Sequence, residues 1–194
     1  MESLIFATNN QHKVDEVKLV LGNQFHLITL REAGIEIDIP EPHDTLEANA
    51  KEKSTTIYQL TGKNCFSEDT GLEVMALNGE PGVKSARYAG DAQSFEDNVA
   101  KLLNNMVGIS ARQARFRTVI SLIIAGNERQ FEGVCEGKIA EFRTGGNGFG
   151  YDPVFIPDGS AISFGEMNGI EKSAFSHRKK AMDKLIDFLK QSMF

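Results

Sequence analysis

Two stretches rich in strand-forming residues, 115–125 and 129–142, flank Gly126-Asn127 and commit this chain to a sheet. A glycine-containing dipeptide between two such runs marks a reversal, so the pair is expected as a long antiparallel hairpin over about 112–142. An arm of that length builds either a second lobe or a dimer surface. With 194 residues the chain fits one domain, 1–194, and can bury a substantial core.

The rest of the chain alternates short apolar runs with helical periodicity. Residues 3–7 read as a buried strand, followed by the polar loop Thr8-Asn9-Asn10-Gln11-His12-Lys13. Val14, Val17 and Leu21 then recur at helical spacing, with Gly22-Asn23 as the stop. Strand, polar loop and helix together offer backbone N–H groups to a phosphate, with Lys13 as a point charge and the Asn side chains as donors. Asn at a helix start is equally common as a plain cap. Residues 26–30 and 34–38 read as further short strands. Pro40-Glu41-Pro42-His43-Asp44 is a rigid acidic loop, and Asp44 or Thr45 caps a helix over 46–60 whose apolar side is Leu46, Ala50, Ile57 and Leu60. Asn49 and Lys53 are four apart on one face of it, either solvated or turned to a ligand and a carboxylate.

Ser67-Glu68-Asp69-Thr70-Gly71-Leu72 follows Cys65-Phe66 and is expected as a buried strand end opening into a turn. Two adjacent acids there supply a magnesium ligand or a base for water, or else form a polar turn with glycine at positive φ. Phe95, Val99, Leu102, Leu103 and Met106 form an amphipathic helix of core type. The loop 144–153, with four glycines, lets the backbone approach a ligand while Phe149 or Tyr151 stacks on a base; its other reading is a connector. Residues 154–156 are a strand. Lys172 and the run Ser176-His177-Arg178-Lys179-Lys180 precede a last helix with Met182, Leu185, Ile186 and Leu189 on its apolar side. Basic residues at a helix start oppose its dipole, which points to an anionic partner or to a solvated turn. The pattern as a whole predicts an α/β fold with ligand loops at strand ends.

Composition narrows the partners. A net charge of -6 argues against sequence-independent binding to a nucleic-acid backbone. Cys65 and Cys135 share no metal-ligand spacing, so reduced thiols and a cytoplasmic location are expected. No apolar run reaches membrane-spanning length, and Met1-Glu2-Ser3-Leu4 carries no basic leader.

Six motifs in order resemble the inosine triphosphate pyrophosphatase family, the XTP/dITP diphosphatases, over essentially the whole chain. They are Ala7-Thr8-Asn9-Asn10 with Lys13 and Glu16; Asn49-Ala50 with Lys53; Glu68-Asp69-Thr70-Gly71-Leu72; Pro81-Gly82 with Ser85-Ala86-Arg87-Tyr88-Ala89-Gly90; Gly148-Phe149-Gly150-Tyr151-Asp152-Pro153; and Ser176-His177-Arg178. The family usually has Gly, Asp and Ser where Asn9, Glu68 and Thr70 stand here.

The resemblance implies an elongated mixed β-sheet flanked by helices, in two lobes with a cleft between them and the hairpin arm in the second lobe. It implies Mg2+-assisted hydrolysis of ITP, dITP and XTP to the monophosphate and pyrophosphate, which keeps these nucleotides out of DNA and RNA. A homodimer is implied as well. Glu41 and Asp69 are expected on the metal, and Asp69, Lys53 and Glu68 in catalysis. Substrate contacts are expected at Thr8, Asn9, Asn10, Gln11, His12, Lys13, Asn49, Thr70, Arg87, Phe149, Gly150, Tyr151, Asp152, Lys172, His177 and Arg178. Hypoxanthine and xanthine carry a 6-oxo acceptor, so donors at Lys172, His177 or Arg178 favour them over adenine. The competing readings are a pyrophosphatase with another base choice and a nucleotide-binding regulator without turnover.

Overall fold

The computed structural model describes residues 3–22, 24–92 and 94–192. Its strands are β1 (Ser3–Phe6), β2 (His26–Thr29), β3 (Cys65–Val74), β4 (Pro81–Gly82), β5 (Gln113–Ile124), β6 (Asn127–Ile139) and β7 (Phe155–Pro157). Its helices are α1 (Gln11–Leu21), α2 (Leu46–Thr61), α3 (Phe95–Asn105), α4 (Gly169–Phe175) and α5 (His177–Ser192). The seven strands make one mixed sheet in the order β2-β1-β3-β5-β6-β7, with β4 on β3. β1 runs parallel to β2 and β3, whereas β4 and β7 run antiparallel to their partners. The expected α/β class and mixed sheet are both present. Among the described residues no helix is long and apolar enough to cross a membrane.

The chain divides into two compact units. One groups the chain up to Asp69, Thr118–Gly133 and the chain from Arg178 on; the other groups Thr70–Arg117 and Val134–His177. The hairpin is therefore shared: its tip belongs to the first unit and the remainder to the second.

In the first unit, strand alternation explains the packing. Leu4, Phe6, Phe66, Ile120 and Leu122 meet Val14, Val17 and Leu21 of α1 and Met182, Leu185, Ile186 and Leu189 of α5. Ile5, Ala7, Cys65 and Ile123 point the other way and meet Ile57 of α2. Helices on both faces are why β1 is apolar at consecutive positions rather than alternating. Thr45 caps α2 by accepting from Ala48 N at 3.2 Å. Leu60, expected on the apolar side of α2, is exposed. The second unit is built round Leu72, Val74, Val99, Leu102, Met106, Phe116, Tyr151, Phe155 and Phe164.

Several local expectations are corrected. Residues 34–38 form no strand; Ile35 N donates to Leu30 O, and Ile35 and Ile37 serve the core from an irregular segment. The turn expected after Phe66 is absent, because β3 runs unbroken through Ser67-Glu68-Asp69-Thr70-Gly71-Leu72 to Val74. Gly71 is required there for space: a Cβ would lie 2.6 Å from the carbonyl oxygen of Gly82 on β4. The hairpin reverses at Ala125-Gly126, both at positive φ, and β6 ends at Ile139, leaving Phe142 exposed. Asn23 of the expected helix stop lies outside the described residues, while Gly22 closes α1 with its N–H on Lys18 O.

Candidate active site

The loop between β1 and α1 forms as its composition dictates. Asn10 is the N-cap of α1, its side-chain oxygen accepting from Lys13 N at 3.2 Å, and its own N–H donates to Thr8 Oγ1 at 3.2 Å. Asn9 Nδ2 donates to Ile37 O at 2.8 Å, which ties this loop to the irregular segment. Gln11 donates to Asp15 at 2.7 Å, and both Gln11 and His12 are exposed. Capped, basic and at a helix start, the segment has the makings of an anion site.

Asp69 and Lys53 meet because strand parity turns Asp69 toward α2. Lys53 Nζ donates to Asp69 Oδ1 at 3.0 Å and to Glu41 Oε1 at 2.6 Å. Glu41 is delivered by the loop 40–44, which Asn49 fixes: its Oδ1 accepts from His43 N at 2.9 Å and its Nδ2 donates to His43 O at 3.1 Å. Ser67 Oγ, two residues before Asp69, donates to Ala50 O and holds β3 on the same helix. Burial pushes the Asp69 carboxyl upward, and the pull of Lys53 and Lys13 does not cancel it, partly because Glu41 adds to the rise. Burial disfavours the Lys53 ammonium, but Asp69 and Glu41 outweigh it and hold its pKa above the ordinary lysine value. Asp69 Oδ2 is buried with no hydrogen-bond partner among the described residues.

These two carboxylates suit a hard divalent cation. No group of three or more His, Cys, Asp or Glu side chains that could hold a metal ion occurs among the described residues. Such a cation takes oxygen ligands and keeps several waters, and Glu41 with Asp69, whose Oδ2 lacks a hydrogen bond among the described residues, offers that donor chemistry.

Glu68, the neighbouring acid, faces the opposite side of β3, as period-two alternation requires. It accepts from Arg178 Nε at 2.8 Å through Oε2 and from Arg178 Nη2 at 2.9 Å through Oε1. Lys13 Nζ stands 3.3 Å from Oε1. Arg178 Nη1 also donates to Glu16. Burial alone would raise the Glu68 carboxyl, yet Arg178 and Lys13 bring it down to about 2. Glu68 and Asp69, both expected in catalysis, thus lie on opposite faces of the continuous strand β3. The basic start of α5 is thus answered in part by acids of the protein itself, Glu16 and Glu68. Glu16, which stands with Lys13 in the first of the six motifs but not among the expected site residues, takes part here through Arg178.

The second unit carries a different set. Gly148 (φ 74) has no room for a side chain beside Asp152, whose Oδ2 accepts from Phe149 N at 2.8 Å. The same oxygen accepts from Lys172 Nζ at 2.6 Å. That ammonium lies 5.1 Å from the Phe149 ring centroid and 5.4 Å from that of Phe164, a residue no sequence motif announced. Lys172 sits in α4, whose Asn168–Glu171 capping box sets the helix start. Tyr151, one of the two expected stacking rings, is instead buried in the core, with its hydroxyl donating to Ser85 O at 2.8 Å. His177 stacks on Phe116 with centroids 4.7 Å apart. Gly150 (φ 60) turns the chain between Phe149 and Tyr151, Thr70 lies half-buried in β3, and Arg87 lies half-buried in a 3-10 turn over Ser85–Arg87.

Known proteins share this arrangement of chain and fold. A profile described as the Ham1 family matches residues 4–188. A dITP/XTP pyrophosphatase of Porphyromonas gingivalis is 48% identical over 190 residues, covering 97% of this chain and 98% of that protein. One of Christiangramia forsetii is 46% identical over 186 residues, with 96% and 98% covered. The solved Staphylococcus aureus Ham1 protein superposes with a TM-score of 0.89 at 37% identity, covering 98% of this chain and 100% of its own. A HAM1 protein from Coxiella burnetii gives 0.90 at 33% identity with the same coverage.

Proposed function

The chain belongs to the Ham1 family, and on that premise we propose that it hydrolyses noncanonical purine nucleoside triphosphates to the monophosphate and pyrophosphate. It is a hydrolase of phosphoric anhydrides, and ITP, dITP and XTP are its substrates in this reading. Removing them keeps deaminated purines out of DNA and RNA.

One observation carries the chemistry: the buried Asp69 holds one oxygen on Lys53 and has a second without a hydrogen bond among the described residues. A carboxylate with a raised pKa and an uncommitted oxygen is suited to take a proton from water. In the proposed step that water attacks the α-phosphorus, the bridging P–O bond to the β-phosphate breaks, and pyrophosphate leaves with the electron pair. Lys53 and Lys13 offset the negative charge, and the capped start of α1 supplies N–H donors with Thr8, Asn9 and Asn10. Glu41 and Asp69 would hold Mg2+, which when bound supplies further charge neutralisation on phosphate oxygens.

In the second unit, Phe149 is assigned to stacking on the base. Lys172 and His177 are assigned to donation toward a 6-oxo group, whereas Arg178, in the first unit, gives its donors to Glu68 and Glu16. An adenine 6-amino group would leave such donors facing a donor, which favours the oxopurines. The reading also takes the chain as one pyrophosphatase domain working in the cytoplasm, where the two buried cysteines, joined in no disulfide, stay reduced. A homodimer, with the hairpin contributing to its surface, completes it; light scattering that finds a monomer removes that element.

Pyrophosphate release from ITP, XTP, dITP, GTP, ATP and UTP, with and without Mg2+, tests the proposal. Metal-dependent release concentrated on ITP, dITP and XTP, with monophosphate as co-product, is expected. Release centred on another nucleotide overturns the base assignment, and tight binding without turnover overturns the catalytic one.

A further inference from the structure

Helix α3 begins with an aromatic residue that its own core does not take in. Phe95, Val99, Leu102 and Met106 fall on one stripe at helical spacing. Val99, Leu102 and Met106 are at most 1% exposed, whereas Phe95 is 40% exposed. The first helical turn favours acidic side chains, and here Glu96 and Asp97 supply them while Ser94 caps Asp97 N. Neither the cap nor the core therefore explains a phenylalanine at this position.

What Phe95 does meet is Phe149. Their ring centroids are 6.1 Å apart with planes at 48°, a tilted pair within the range in which aromatic rings attract. The backbone of Phe149 is fixed by its N–H on Asp152, and its ring lies 5.1 Å from the Lys172 ammonium. Asp152 sets where the residue sits but leaves its side-chain torsions open. A second ring at a defined angle limits them.

We infer that Phe95 is a positioning residue for Phe149, holding its ring in the plane that receives an oxopurine. This rests on the assignment of Phe149 to the base made above. A ring held in place lowers the ordering cost of stacking and acts on binding rather than on bond breaking. The substitution F95A should therefore raise KM for ITP by about three- to tenfold, the range an aromatic pair commands, with kcat little changed. F95L, apolar but without a ring, should behave like F95A. F95Y should restore KM.

The deciding experiment is the double-mutant cycle of F95A with F149A, reading KM and kcat for ITP. If Phe95 acts through Phe149, F95A raises KM in the parent enzyme and has no further effect once F149A is present. An equal KM effect of F95A in both backgrounds overturns the inference, because Phe95 then acts by another route. So does an unchanged KM for F95A and F95L alongside a raised KM for F149A, a result that leaves the base assignment standing. If F149A itself leaves KM unchanged, the base assignment fails and the positioning role falls with it.

Discussion

Arg178 donates two hydrogen bonds to Glu68, Nε to Oε2 at 2.8 Å and Nη2 to Oε1 at 2.9 Å, with both side chains sealed from solvent. The pair joins the first turn of α5 to β3, and through Lys13, 3.3 Å from Oε1, to the first turn of α1. Removing one partner of such a pair strands the other charge in the interior, which typically costs about 3–5 kcal/mol. E68Q should lose stability on that scale in urea denaturation and should raise KM for the triphosphate, because Lys13 loses its anchor. E68D, which keeps the charge on a shorter arm, should lose less. A stability change below about 1 kcal/mol for E68Q would show that the pair does not anchor the two helices.

The same carboxylate predicts how stability depends on pH. Its ordinary value is 4.5 and its folded value is about 2, a depressed carboxylate. The unfolded chain therefore takes up the proton first as pH falls, so this stabilisation is fully present above 4.5 and is lost as pH drops toward 2. The window corresponds to about 3 kcal/mol. Denaturation midpoints followed from pH 6 to pH 3, on the order of the range in which this linkage acts, should fall less steeply in E68Q than in the parent. Parallel curves would contradict the assignment.

Asp69 carries a prediction about its own titration. A base must be unprotonated to accept the water proton, and burial raises the folded pKa of this carboxyl above its ordinary 3.8. Without metal the Asp69 carboxyl should thus titrate above that value, read by NMR, and added Mg2+ should move the titration down. D69N should lower kcat by about 10²–10⁴ and keep the fold, read by circular dichroism and Tm. Retained turnover in D69N would remove Asp69 from the role of base.

Much of this was legible in the sequence because local chemistry and tertiary environment agree. Val14, Val17 and Leu21 follow helical spacing because α1 lies on a sheet, and Thr45 and Asn10 cap because their side chains reach the next turn's N–H groups. The misreadings share one cause, contacts made at long range. Thr70-Gly71 looks like a turn, but the glycine answers to the Gly82 carbonyl of β4, 11 positions later in the chain. Glu68 and Asp69 look like one acidic turn until β3 is known to continue, after which alternation sends one to α5 and the other to α2. Tyr151 looks like a stacking ring until Ser85, 66 positions earlier, accepts its hydroxyl.

Gly71 offers the most direct check on that long-range reasoning. Its φ is not in the left-handed region, so an alanine there meets no backbone strain. The obstacle is Gly82 of β4, whose carbonyl oxygen and carbon would lie 2.6 and 2.9 Å from the new Cβ. Those atoms belong to backbone paired with β3 at Leu72 and Glu73, so they cannot rotate away as a side chain would. G71A should therefore destabilise by about 1–3 kcal/mol, the usual range for overpacking. Gly146 provides the control, since a Cβ there meets nothing within 4 Å and its φ is ordinary. G146A should stay within about 0.5 kcal/mol of the parent or gain slightly from a stiffer unfolded chain. Urea midpoints of the two variants, measured side by side, decide the matter: equal stabilities would mean that β4 yields, and that Gly71 is not held by the close approach of the two backbones.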